Sequence, residues 1–589
     1  MTRFRSSLCL LSRRRENVHK VAEIFRSIAN ILEIKGENPF KIRAYERAAQ
    51  NIENLAEDVE ELAARDDLEK IPGIGKELAK KIREILTTGT LQYYEELKKE
   101  VPPELVTLMS VPGVGPRTAK VLYDELKIRS LAELEEMARA HRLRGLPGIK
   151  AKTEENILRG IQLLKAGRER VPLGTALPLA TAVAEALRKS ARVDRLEIAG
   201  SIRRRKETIK DIDILATGPV PDQIMDAFIR LPMVKEVLAR GETKASVLSV
   251  QGLQIDLRVV APESFGAALC YFTGSKEHNI RIRELAIRKG LKINEYGVFR
   301  DGERLGGETE QDVYDVLGLP FIPPELREDA GEIEAAQKGQ LPNLVQREQI
   351  RGDLHVHSRF SDGSGSLEDI AAKARSLGLS WIGICDHSRS LKIARGLSIE
   401  ALMQKCEAIK QFNERVEDVK LLCGAEVDID AAGQLDYPDE VLARLDLVIA
   451  AIHSGFKQDE ETQTRRLLAA IRHPYVHIVA HPTGRLFGER EGYPVRFEEI
   501  LAEARRTGTC LEINAYYKRL DLDSGHVRAA KNAGVVLGIG TDAHILDQMD
   551  AIDLGVAIAR RGWLEPGELL NTLSYEEVLR FLQRKKSLL

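Results

Sequence analysis

Apolar residues at Val18, Val21, Ala22, Phe25, Ile28, Ala29 and Leu32 recur at the three-and-four spacing of one helix face. The pattern stays helical to about residue 95. Residues 68–86 read LEKIPGIGKELAKKIREIL, a glycine-bearing turn followed by an amphipathic helix. From Val171 the period changes. Residues 181–188 predict a helix, and apolar runs at 196–199, 211–215, 245–250 and 253–260 predict strands.

After residue 350 the chain repeats one plan: short apolar strand, polar tip, helix. The strands close on DLHVH (353–357), WIGICDH (381–387), LLCGAEVDI (421–429), LDLVIAAIH (445–453), HIVAH (477–481), TCLEIN (509–514) and VVLGIGTDAH (535–544). About seven such units predict a parallel barrel of the distorted TIM kind. The expected architecture is multidomain. Helical domains occupy 17–95 and 96–172, an α+β domain 173–262, a further domain 263–324, a polar linker 325–349 and an α/β distorted (β/α)7 barrel 350–589. Residues 1–16 have basic flanks around a very short apolar core. They lack the longer apolar region of a signal peptide and read as a disordered extension or an early start codon.

A length of 589 residues is too great for one core, and no apolar run approaches membrane-spanning length. The six cysteines are scattered without a Cys-x-x-Cys pair, which argues against a disulfide framework or thiolate zinc site and fits a reducing cytoplasm. Net charge is −2, so any nucleic-acid binding must use local basic patches and backbone donors. Of 12 histidines, only His19, His141 and His278 precede residue 350, which points to metal chemistry in the C-terminal part.

Residues 196–215 read LEIAGSIRRRKETIKDIDIL. Side chains two apart on a strand share a face, so Asp211 and Asp213 lie side by side and repel unless a divalent cation sits between them. Gly200 and Ser201 stand where backbone N–H groups can cradle phosphate. Asp256, on a later strand, supplies a third carboxylate, enough for two metals and in-line phosphoryl transfer. A lone Asp-x-Asp is ordinarily a solvated strand edge. The added Gly-Ser turn and third acid make this the pattern of the nucleotidyltransferase superfamily. Arg203, Arg204, Arg205 and Lys206, between turn and acids, are placed to meet a triphosphate or primer backbone.

The glycine turn at Gly73 and Gly75 recurs at Gly113 and Gly115, in VPGVGPRTAKVLYDEL (111–126). These are helix-hairpin-helix signatures, whose N–H groups grip DNA phosphate without reading sequence. A third copy at 146–158 has Lys150 in place of the second glycine, which predicts an altered turn. Tyr271-Phe272 and Thr273-Gly274-Ser275 form a bulky wall beside a close turn, suited to excluding a ribose 2′-hydroxyl. An aromatic pair is otherwise ordinary core.

On these motifs residues 17 to about 325 resemble the family X DNA polymerases, which include DNA polymerase beta. The resemblance implies a lyase-like N-terminal domain, a DNA-binding domain, a palm and a nucleotide-selecting domain. It implies Asp211, Asp213 and Asp256 as catalytic ligands of Mg²⁺ or Mn²⁺, and Ser201, Arg204 and Arg170 on the triphosphate. Tyr271, Phe272 and Gly274, with Ser275, would lie at the sugar, and Asn279 and Arg283 near base pair and template. Lys276 stands where the animal member has an acid. Lys81 matches the family's Schiff-base lysine, with phosphate binding its other open role. Glu77 occupies the place of a companion lysine.

Nearly every barrel strand ends in a metal-type side chain: His355, His357, Asp362, His387, Glu426, His453, His481, Asp542 and His544. A strand-end histidine is often structural when alone. Nine ligands at matching positions suit two or three Zn²⁺, Mn²⁺ or Fe²⁺ ions. His473, His477 and His526 fall off the pattern and are read as structural. This part resembles the PHP (polymerase and histidinol phosphatase) domain, and the whole chain resembles the bacterial and archaeal family X polymerases that carry it. The resemblance implies a 3′–5′ exonuclease, with abasic-site cleavage as a further activity, and Arg485 as a phosphate contact. The expected partners are gapped or primed DNA and dNTPs, with no membrane, for a cytoplasmic monomer in base excision repair. Two alternatives are an untemplated nucleotidyltransferase and a DNA-end-binding scaffold with a vestigial nuclease.

Overall fold

The computed structural model describes residues 20–585 except 23, 30, 34, 36, 54–58, 72, 101–104, 106–107, 110, 112–113, 152, 156, 159–160 and 162–169. Gly113 and the 1–16 extension therefore lie outside the described residues.

The N-terminal helices, among them Pro39–Glu53, Lys76–Thr88, Gln92–Glu100, Pro116–Leu126 and Leu131–Arg139, pack around their own apolar cluster, which runs from Val21 to Ile161. Three hairpin turns close on the same backbone bond: Ile74 N to Ile71 O at 3.0 Å, Val114 N to Val111 O at 2.9 Å, and Ile149 N to Leu146 O at 3.0 Å. The third turn was expected to be altered by Lys150, and it is not. The left-handed residue is the first glycine, Gly73 at φ +80° and Gly148 at φ +78°. The second glycine is the extended helix N-cap, Gly75 at φ −94° and Gly115 at φ −82°, a conformation open to any residue.

The palm sheet has the order 195–198, 211–217, 254–259, 244–249, 234–240. Asp211–Thr217 and Gln254–Val259 run parallel with Asp213 directly opposite Asp256; the other pairings are antiparallel. Helix Leu173–Ser190 buries Leu173, Leu179, Val183 and Leu187 against this sheet. Helix Lys276–Arg288, a three-stranded antiparallel sheet and helix Glu310–Leu317 form the next unit. The 325–349 linker is structured. It contains helix Glu332–Gln337, and buried Glu332 accepts from His278 Nδ1 at 2.7 Å.

Seven parallel strands follow in sequence order, from Gly352–Val356 to Leu537–Gly540. A parallel bridge between Val356 and Ala543 brings the last strand back to the first, so the sheet is a nearly closed (β/α)7 barrel. Palm and barrel share one apolar cluster. They meet so closely at Gly174 that a Cβ there would lie 2.5 Å from Tyr517 Cβ.

One expectation from cysteine spacing is overturned. Cys406 and Cys423 form a disulfide with Cα atoms 5.4 Å apart. Helix Ile399–Arg415 folds back onto strand Lys420–Asp428, so residues remote in sequence meet without any short cysteine motif. Cys270, Cys385 and Cys510 are not in a disulfide. Among the described residues no helix is long and apolar enough to cross a membrane.

Candidate functional site

Two centres emerge. The first is a cleft of about 760 Å³ in the palm, lined by Arg170, Gly200, Ser201, Arg204, Lys206, Asp211, Asp213, Tyr271, Phe272, Gly274, Asn279 and Arg283, among others. The strand register sets Asp213 against Asp256, and Ala199 N donates to Asp213 O at 2.8 Å, drawing the Gly200-Ser201 turn over the acids. The turn needs glycine: Gly200 has φ +63°, and a Cβ there would lie 2.3 Å from Asp213 Oδ2.

Burial pushes the Asp213 carboxyl up, the charges of Asp211 and Asp256 add to it, and it reaches about 7. Asp256 goes the other way. Burial opposes its charge, but Lys244 at 2.8 Å, Gln254 at 2.9 Å and Ser246 outweigh that and lower it. Lys244 was not singled out in the sequence. Its signal is the antiparallel neighbour strand, which sets Ser246 directly opposite Asp256 and Lys244 two residues away. The crowding of three carboxylates, of which Asp256 has the Lys244 counter-charge, fits a divalent cation held by Asp211, Asp213 and Asp256.

The basic run splits by face. Arg204 and Lys206 line the cleft. Arg203 pairs instead with Glu310 and donates to Thr273 Oγ1 at 2.7 Å, and Arg205 faces a separate cavity behind the turn. Arg204 Nε donates to Glu328 Oε1 at 3.0 Å and its Nη1 to Thr273 O. Arg170 holds Thr208 from Nε at 2.8 Å. Asn279 Nδ2 donates to Tyr271 O at 2.7 Å, fixing the wall whose Tyr271 and Phe272 rings meet edge to face at 5.1 Å. Ser275 departs from its expected place at the sugar. It is buried and caps helix Lys276–Arg288, its Oγ accepting from His278 N at 3.1 Å.

In the N-terminal unit the second-glycine positions, Gly75 and Gly115, face open space, with no heavy atom within 4 Å of a Cβ built there. Lys81 Nζ lies 5.0 Å from the Tyr93 ring centroid and Lys41 Nζ lies 5.7 Å from the same ring. Lys41 is a second cation that the sequence reading passed over.

The second centre sits at the C-terminal ends of the barrel strands, where parallel barrels place their chemistry. Three groups of ligand atoms lie within 4.8 Å of one another: His357, Asp362, His387 and His544; His355, His357 and Asp542; His387, Glu426 and His453. His481 Nε2 joins Glu426 Oε1 at 3.0 Å, so all nine expected residues converge. Burial opposes charge on His453, but Glu426 and Asp428 outweigh it and hold the imidazolium up to about 10. Burial likewise raises Asp362, yet His544, His387 and His357 bring it down to about 2.

The donor set fits metal. His357 Nδ1, His387 Nδ1, Glu426 Oε2 and His481 Nδ1 are buried without a hydrogen-bond partner. His387 Nδ1 is 2.8 Å from Glu426 Oε2 but not in a hydrogen-bonding direction. His355 Nε2 and His357 Nε2 are 3.1 Å apart. Lone pairs gathered this way call for a shared cation, and imidazole with carboxylate and no thiolate suits Zn²⁺, Mn²⁺ or Fe²⁺. His473, His477 and His526 lie away from this set, with Asp439, Val448 N and Asp523 respectively.

Behind the ligands stands a layer the sequence reading missed. Glu512 accepts from His355 Nδ1 at 2.8 Å and His481 N at 2.7 Å; Asp428 accepts from His453 Nδ1 at 2.5 Å. Such partners fix tautomer and ring orientation. Glu512 was visible in TCLEIN as a polar residue within a buried strand. Arg485 does not reach the cluster: its Nε donates to Arg519 O at 2.7 Å and its Nη2 to Leu520 O. Arg519 is the nearer cation, with Nε 3.5 Å from Asp542 Oδ2.

Fold and sites together define a DNA polymerase of family X that carries a PHP domain, and the chain belongs to that family. Residues 16–91 match a helix-hairpin-helix domain, 105–162 a SAM-like helix-hairpin-helix tandem, 268–328 the DNA polymerase beta thumb, and 353–516 the PHP domain. Over 573 residues the chain is 40% identical to the DNA polymerase/3′-5′ exonuclease PolX of Bacillus subtilis (strain 168), covering 96% of this chain and 100% of that protein. A probable phosphatase of Caldanaerobacter subterraneus is 30% identical over 248 residues, 40% of this chain and 91% of that protein.

Proposed function

We propose that this chain is a DNA-directed DNA polymerase that fills short gaps in base excision repair, with a barrel centre that removes nucleotides from 3′ ends. The observation that carries the reading is Asp213 opposite Asp256, beside the Gly200 turn, in a cleft shared with Tyr271 and Phe272. Arg204, Lys206, Arg170 and the N–H groups at Gly200 and Ser201 are arranged to bind a triphosphate. Tyr271 and Phe272 form the wall at its sugar, and Asn279 keeps that wall in place. Arg283, donating to Asn279 O at 3.3 Å, borders the same cleft. Divalent cations, when bound at the three acids, supply the positive charge that in-line phosphoryl transfer requires. Gly73, Gly75 and Gly115 present the N-terminal hairpins to gapped or primed DNA.

The barrel accepts a phosphodiester through its nine metal-type residues, and Arg519 takes the phosphate role first expected of Arg485. Abasic-site cleavage belongs to the same centre. For Lys81 we favour phosphate binding over Schiff-base chemistry, because Glu77 replaces a companion lysine. The domain limits given above, a cytoplasmic location and a monomeric state complete the reading.

A gapped duplex with dNTPs and Mg²⁺ tests it. Asp256→Ala is expected to lower extension by about 10²–10³-fold or more. His355→Ala should abolish 3′ degradation and leave extension intact. Extension by Asp256→Ala at the wild-type rate would sink the polymerase assignment, and loss of both activities in His355→Ala would sink the division into two centres.

A further inference from the structure

The phosphate turn of the palm is held from outside the palm. Arg561 ends helix Ile552–Arg561 of the barrel domain and is almost wholly buried. Its Nη1 donates to the backbone carbonyl of Arg204 at 2.7 Å and to Glu328 Oε1 at 3.0 Å. That same Glu328 oxygen accepts from Arg204 Nε at 3.0 Å, and Lys206 Nζ lies 3.5 Å from the other oxygen. On the far side of the turn, Glu207 Oε1 accepts from Ser524 N of the barrel at 2.9 Å and lies 3.9 Å from Arg561 Nε.

These contacts do more than join two surfaces. Arg204 is the cleft-lining guanidinium of the basic run, on a side chain with many rotamers. A flexible cation binds phosphate well only when its orientation is fixed beforehand. One carboxylate, Glu328, receives both the Arg204 side chain and the Arg561 side chain, while Arg561 also pins the Arg204 main chain. Position and direction of Arg204 are thus set together, and half of the fixing group comes from the barrel domain.

We propose that Arg561, acting with Glu328, is a positioning residue of the polymerase centre: the barrel domain orients Arg204 for the triphosphate of the incoming dNTP. The inference rests on the polymerase reading above. It assigns the barrel domain a part in synthesis that is separate from its metal cluster, since Arg561 is not among the ligands.

The full chain is assayed on a gapped duplex for dNTP KM and kcat, for 3′ degradation, and for dNTP affinity by titration calorimetry with Ca²⁺ in place of Mg²⁺. Arg561→Ala is expected to raise dNTP KM about tenfold with kcat little changed, the signature of lost binding to ground and transition state alike. It should weaken dNTP affinity by a similar factor and leave 3′ degradation at the wild-type rate. Arg561→Lys should recover part of the KM, and Glu328→Ala combined with Arg561→Ala should cost little more than either alone, because the two act through one guanidinium. An unchanged KM and affinity in Arg561→Ala would overturn the proposal. So would a loss of 3′ degradation and melting temperature that Arg561→Lys restores without a change in KM, which is the behaviour of a mere domain contact. If the wild type binds dNTP but never extends a primer, the polymerase reading fails while the calorimetric arm still judges Arg561.

Discussion

Asp213 gives the metal-free palm a distinct pH response. Burial, followed by the Asp211 and Asp256 charges, raises its folded value to about 7 from an ordinary 3.8. A carboxyl with a raised folded value stabilises the fold fully below its unfolded value and loses that contribution as pH rises through the folded one. Without divalent metal, the melting temperature of the full chain should therefore fall from about pH 4 to about pH 7 and level off above that. Added Mg²⁺ should flatten the fall, and Asp213→Asn should remove this component. Thermal scans across that range decide it; an identical slope in Asp213→Asn would show that another group is responsible.

The three acids were legible because spacing on a strand is a local property. Most of the barrel's metal-type residues were legible because they lie at or near the end of an apolar run, whereas Asp362 stands in the loop beyond one. Ser275, Arg485 and Arg519 were not, for a common reason. A serine beside a glycine turn looks the same whether it caps a helix or meets a sugar, and an arginine reaches far enough that its partner is set by tertiary packing. Lys244 became visible only when strands were laid side by side, and what Glu512 holds became visible only with His355 and His481 beside it.

At the scale of the element, the hairpins separate two kinds of glycine that a motif treats alike. Gly73 carries the left-handed dihedral, and its Cβ would come within 3.2 Å of Arg47 Cδ. Gly75 is extended, with open space before it. Gly73→Ala should destabilise the N-terminal helices by about 1 kcal/mol or more. Gly75→Ala should leave their stability unchanged but weaken duplex binding and reduce its salt dependence. Circular dichroism melts and binding titrations at several salt concentrations separate the two effects. The third turn survives with Lys150 because it keeps the first kind of glycine. The helix–strand pair bridged by Cys406 and Cys423 carries the opposite lesson: sequence spacing said nothing of it, since a helix returning over the next strand pairs residues by geometry alone.

At the scale of the molecule, the division into palm and barrel was legible from the repeated strand-tip-helix plan and the histidines that begin at about residue 350, but their union was not. Palm and barrel share one apolar cluster, whereas the N-terminal helices have a separate one. Scanning calorimetry should resolve the N-terminal helices from a single larger transition for palm and barrel together. Gly174→Val, which thrusts a branched side chain at Tyr517 and Leu554, should lower only the second transition. Two independent melts for palm and barrel would contradict the shared cluster.

The union also bears on how the protein comes into being at the ribosome. His357 and Asp542 of one ligand group are 185 positions apart, and Arg204 awaits Arg561 across 357. At about 5–20 residues per second, the nascent palm would spend roughly 20–70 s with its phosphate turn complete in sequence but unanchored. Because the barrel closes only after its last strand emerges, both centres mature near the end of translation, and a prematurely terminated chain would carry neither a finished nuclease nor a fully ordered site for synthesis.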